Sequence, residues 1–113
     1  MKYVLMFIDT EQFSADLAAS SDAERELAYE RVRQWFRDHE REVTHHRYLM
    51  PPESATTVRL DGSDALVTDG PFVEGKEVVS GYAEIEVADL DEALGLAKSW
   101  PGCPVVEIRP IAS

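Results

Sequence analysis

Two adjacent histidines, His45 and His46, are the side chains of this sequence best suited to move protons near neutral pH. A second concentration of chemistry lies further on, in Asp69-Gly70-Pro71-Phe72 followed by Glu74, Lys76 and Glu77. Together they outline a cofactor-free acid–base site. Asp69 would be the base, one histidine the proton shuttle, and Lys76 or Arg109 the clamp for an anionic group. The substrate would be a small organic molecule. Neighbouring residues of a strand point to opposite faces, so only one of His45 and His46 can serve, and the sequence leaves open which.

The remaining reactive residues read more plainly. His39 falls near the end of a helix, where its charge complements the dipole. Cys103 stands alone between Gly102 and Pro104, with no local base to activate it. A metal site needs three or four converging ligands, and the sequence has neither an HxH nor a CxxC spacing. No metal and no cofactor is expected.

Asp69-Gly70-Pro71 is also ordinary turn chemistry: Asp bonds nearby amides, Gly accepts unusual dihedrals and Pro fixes one. On that reading Phe72 tucks into the core. Lys76 among acids is then a solvated cluster that contributes little stability.

These residues need elements to position them. Tyr3 to Ile8 is an apolar run of strand formers and predicts a buried first strand. Residues 9–20 have no clean period and are expected to form a loop. Ser21 with Glu24 has the spacing of a capping box and starts a helix running to about Arg41. Ala28, Val32, Trp35 and Phe36 mark its apolar face. Val43 to Met50 predicts a second strand, stopped by Pro51-Pro52. Thr56–Leu60 and Ala65–Thr68 flank Asp61-Gly62-Ser63-Asp64, the pattern of a hairpin. Gly81 to Val87 alternates as a strand. Asp89, with Glu92 three residues on, caps a second helix with Leu90, Ala93, Leu94 and Ala97 as its stripe. Trp100 extends the stripe, Pro101-Gly102 ends the helix, and Val105 to Arg109 is the last strand.

Strand, helix, strand, hairpin, strand, helix, strand is a split βαβ with an inserted β-hairpin: an α+β, ferredoxin-like plan in a single domain over 1–113. Both helices would cover one face of an antiparallel sheet. The other face needs a cover, and a second copy packed sheet to sheet supplies it in a two-fold homodimer. If Ala83, Ile85 and Val87 face the helices, Tyr82, Glu84 and Glu86 face away. Glu107 and Arg109 share that opposite side, unless they merely pair with each other. A polar lining inside such a junction marks a small-molecule site with Tyr82, Glu84, Glu107, Arg109 and Lys76 as ligand contacts.

Composition narrows the partners. The 113 residues include 22 acidic and 11 basic side chains, a formal net charge of -11. This disfavours nucleic acid and anionic membranes, both of which attract basic surfaces. No apolar run approaches the ~20 residues that span a bilayer. The start, MKYVLMFID, lacks a signal-peptide pattern, so the cytoplasm is the expected location.

Several runs taken together resemble the DGPF-type branch of the YCII-related family. They are Ala55-Thr56-Thr57-Val58-Arg59, Val67-Thr68-Asp69-Gly70-Pro71-Phe72, Glu74, Lys76-Glu77 and Gly81-Tyr82. Asp89-Leu90-Asp91-Glu92-Ala93 and Val106-Glu107-Ile108-Arg109-Pro110 fit the same pattern. The resemblance covers nearly the whole chain and implies a ferredoxin-like fold assembled as a dimeric α/β barrel. It implies no settled activity: some members resemble small ring-cleaving or dehalogenating enzymes in fold. Members of this branch are often encoded beside extracytoplasmic-function sigma factors, which makes a regulatory, non-catalytic module the alternative. The YciI-like branch pairs a histidine of the first helix with an aspartate. The matching stretch here, Tyr29 to Val32, has no histidine, so that couple is not carried over. Asp69 with His45 or His46 would have to replace it. Arg41-Glu42 also stands where similar sequences turn through a glycine.

Overall fold

The computed structural model describes residues 1–72 and 75–113. Strand β1 (Lys2–Thr10) leads directly into helix α1 (Glu11–Ala19), and α2 (Asp22–Asp38) follows. β2 (Val43–Tyr48) comes next, then a 3-10 turn over Pro52–Ser54 and the short strands β3 (Thr56–Arg59) and β4 (Leu66–Asp69). β5 (Glu77–Glu86), α3 (Leu90–Lys98) and β6 (Val105–Pro110) complete the order. The main sheet has the order β2-β5-β1-β6, with every neighbouring pair antiparallel. This mixed α+β arrangement has the split βαβ strand order. Among the described residues the sheet is open, with β2 and β6 as its edges, and no closed barrel forms. β3 and β4 pair separately as a two-stranded ribbon.

Local chemistry accounts for the helices. Ser21 Oγ accepts from the Glu24 amide at 3.1 Å, and Glu24 accepts from the Ser21 amide at 3.4 Å, the reciprocal box the spacing predicted. Trp35 is the buried residue of α2, and its indole donates to Ser99 Oγ at 2.8 Å, tying α2 to the end of α3. At α3, Asp89 accepts from the Glu92 amide at 2.9 Å. Ala93 and Leu96 are the buried residues of α3, while Leu90 and Leu94 lie exposed, so the stripe is rotated from the expected one. The bounds of α2 and β2 fall short of Arg41 and Met50, ending at Asp38 and Tyr48.

Three expectations are corrected. Residues 11–19 are a helix instead of a loop: Thr10 caps it, accepting from the Phe13 amide at 3.1 Å. Its apolar face is reduced to Phe13 and Leu17, one i,i+4 pair, too little for a visible period. β5 begins at Glu77, ahead of Gly81, because a bulge between Phe7 and Ile8 lets the pairing continue past the glycine. Phe72 does not enter the core. It is 67% exposed, and the Arg59 guanidinium lies 4.9 Å from its ring centroid.

The core lies between the sheet and the helices. Tyr3, Leu5 and Phe7 of β1 and Ala83, Ile85 and Val87 on and after β5 supply its sheet side. Trp100, beyond the end of α3, stacks on Phe7 with centroids 3.9 Å apart. Among the described residues no helix is long and apolar enough to cross a membrane.

Candidate functional site on the open sheet face

Alternation fixes what the uncovered face carries. Tyr3, Leu5 and Phe7 point into the core, so Val4, Met6 and Ile8 point out of it. The register then defines rows across the sheet. Arg109, Val4, Glu84 and His45 form one row, and Glu107, Met6, Tyr82 and Arg47 form the next. The centre is apolar. The β2–β5 side is ionisable, and the β6 side carries an ion pair.

The two histidines are separated as strand geometry requires. His45 lies on the open face, with Nε2 3.1 Å from the Tyr82 hydroxyl. The tyrosine donates when Nε2 is bare and accepts when Nε2 carries hydrogen, so the direction of the bond follows the state of the imidazole. Glu84 is the cross-strand partner of His45 on the same face. His46 lies on the helix face, stacked on Phe36 at 3.9 Å between centroids. Burial, with smaller contributions from Arg47 and His45, holds the His46 imidazole below its usual value. His46 therefore packs the core side and takes no part in the open-face cluster.

That environment gives a stability prediction. With its pKa lowered from 6.5 in the folded state, His46 is protonated more readily in the unfolded chain. Its effect on stability is absent above about pH 6.5 and grows as the pH falls toward the lowered folded value, where the slope ends. The expected result is an unfolding free energy that declines below about pH 6.5, and a His46→Phe variant that declines less over that window. Urea unfolding at a series of pH values measures it.

The other candidates do not join His45 within one chain. Asp69 ends β4 on the ribbon, outside the main sheet. No hydrogen bond among the described residues engages its carboxylate, either in its own turn or with a histidine. The turn is instead held by the Gly70 amide donating to Ala55 O at 2.7 Å and by Thr57 Oγ1 donating to Gly70 O at 2.7 Å. Gly70 sits at φ 101°, which explains the glycine. Lys76 is 87% exposed and lies 4.0 Å from Glu11. Arg109 pairs with Glu107 at 2.8 Å. It stands at the far end of the His45 row, about 14 Å away by three strand spacings. Glu74 lies outside the described residues.

Cys103 is buried, and burial pushes its thiol up, the wrong direction for a nucleophile. Among the described residues no three His, Cys, Asp or Glu side chains gather as metal ligands. The residues that sequence reasoning missed are Val4 and Met6. Their signal was present in the unbroken apolar run of β1, because a strand apolar on both sides is one expected to be covered on both.

The fold and this face define a mixed α+β domain whose half-covered antiparallel sheet presents an ionisable cluster. The chain belongs to the YCII-related family, whose domain matches residues 1–112. It is 40% identical over 68 residues to an uncharacterised protein of Rhizobium meliloti (strain 1021). That match takes in 57% of this chain and 55% of the relative, so the chain spans about half the length of the curated relative it matches.

Proposed function

We propose that this protein is a homodimer, two sheets face to face in a dimeric α/β barrel, that binds a small organic molecule in the cavity between them. The observation that carries the reading is the company His45 keeps: a hydrogen-bonded tyrosine and a cross-strand glutamate on a face whose centre is Val4 and Met6. An apolar floor with a few convergent polar groups is the usual make-up of a ligand site. The His45–Tyr82 pair would exchange protons with the ligand, Glu84 would orient the imidazole, and Arg109 and Glu107 would line the opposite wall. Asp69 and Lys76 would act from the cavity mouth.

A second reading is a non-catalytic ligand-binding or regulatory module, with a sigma factor as the partner that the family resemblance brings to mind. The separation of Asp69 from His45 within one chain favours it.

The test is solution mass by light scattering, combined with a benzoate titration followed on the His45 and Tyr82 ring resonances. The expected result is a dimer whose His45 signals shift, while Met6→Glu gives a monomer that no longer responds. A monomeric wild type, or shifts confined to the helix side, contradicts the reading. A pH–rate limb that His45→Gln removes, once a turnover is found, separates enzyme from binding module.

A further inference from the structure

The ribbon is the least self-sufficient part of the chain. A two-stranded hairpin is marginal in water without a surface to pack on. Val58 pairs with Val67 and Thr56 with Asp69, so these four share one ribbon face, and Leu60 follows by alternation. Val58 is 53% exposed and Val67 61%. On the opposite face Thr57 bonds Gly70 O and Arg59 lies against Phe72, while Leu66 is 57% exposed there. Among the described residues no other element packs extensively on the Val58–Val67 face.

The chain's shape agrees. It extends over 48 × 43 × 18 Å with a radius of gyration of 16.2 Å. A compact chain of this length has a radius near 13 Å.

We propose that the β3–β4 ribbon is an arm taken up by a second copy of this chain, and that its apolar face carries Asp69 to the mouth of the partner's cavity. The inference rests on the sheet-to-sheet pairing proposed above. Three observations favour a second copy as the occupant. First, the arm springs from the ends of β2 and β5, the strands that carry His45 and Tyr82. A copy seated on the open face therefore lies within its reach.

Second, area favours it, since the sheet face alone reaches only the low end of standard interfaces. Four strands about 4.8 Å apart and six residues deep present about 400 Å2 of projected face. Half as much again for side-chain relief still falls short of the about 800 Å2 per partner of a standard interface. An arm given and an arm received by each copy supply the remainder. Third, one two-fold axis satisfies both exposed surfaces at once and closes the assembly.

The arm also gives Asp69 a role that a single chain does not offer. Its carboxylate shares the docking face with Val58 and Val67, so docking presents it to the other subunit.

The experiment uses mixed dimers. One protomer carries a nitroxide at Asp69→Cys and no isotope; the other is unlabelled at that position and enriched in nitrogen-15. Cys103 is buried, and a wild-type control measures any label it takes up. The expected result is that the amides of His45 to Arg47 in the enriched protomer lose most of their intensity. In parallel, Val58→Asp with Val67→Asp should raise the dimer dissociation constant about 100-fold while the fold persists by circular dichroism. If the mass is dimeric but no amide of the enriched protomer broadens, the arm is not exchanged and the proposal is overturned, leaving the sheet pairing intact. An unchanged dissociation constant overturns it as well. A monomeric wild type fails both this proposal and the pairing beneath it.

Discussion

Phe7→Ala is expected to destabilise the protein by about 3–5 kcal/mol, a large share of the about 5–15 kcal/mol that holds a domain folded. Phe7 is 2% exposed and is one of the largest fully enclosed side chains. Its ring stacks on Trp100 and meets both Trp35 and Phe36 edge to face at 6.5 Å. Truncation removes the apolar contact area, leaves a cavity and breaks three aromatic contacts together. Trp100 lies beyond the helix and is held by this stack, and Gly102 in turn lies against its ring. The loss should therefore spread to the loop 100–104. Phe7→Leu keeps most of the volume and should cost less than half as much. Urea midpoints read the difference, provided that the slope is unchanged. Equal effects of Leu and Ala would show that aromatic packing is not what orders this end of the core.

Gly81→Ala is the second large effect, and it acts on the site. A Cβ at Gly81 would stand 2.8 Å from the Arg47 carbonyl oxygen and 3.3 Å from the Tyr48 ring. The near atom is backbone, so the strain falls on the β2–β5 pairing itself. A cost of about 1–3 kcal/mol is expected, typical of overpacking. Among the described residues β2 is an edge strand that pairs with β5 alone, so it is the element that yields. The measurable result is faster hydrogen exchange at His45 to Tyr48 and loss of the His45–Tyr82 hydrogen bond, with β1 and β6 unaffected. If β2 keeps its protection, the glycine is not needed for close approach.

Much of the fold could be read from residue patterns because the signals were local. The Ser21–Glu24 box and the alternation of Ala83, Ile85 and Val87 each depend on a few neighbouring residues. Helix α1 was hidden because Phe13 and Leu17 form only one i,i+4 pair. Phe72 was misplaced because a phenylalanine beside a turn reads as core, while its partner, Arg59, is thirteen residues earlier on another strand. The site was legible by halves. His45 and Tyr82 were named, but the choice between His45 and His46 depended on a register between β2 and β5 that no local pattern sets. Asp69 was singled out by its neighbours in sequence, but it ends the ribbon strand β4, whereas Glu77 already belongs to β5 of the main sheet.

On the proposed reading, the open face is one wall of a closed cavity between two copies. A crystal structure of the protein in its solution oligomeric state tests it most directly. The expected structure has two sheets facing each other across a cavity lined by His45, Tyr82 and Glu84, with Val4 and Met6 removed from solvent. A monomer, or a dimer joined through the helices with His45 and Met6 left in water, would contradict it.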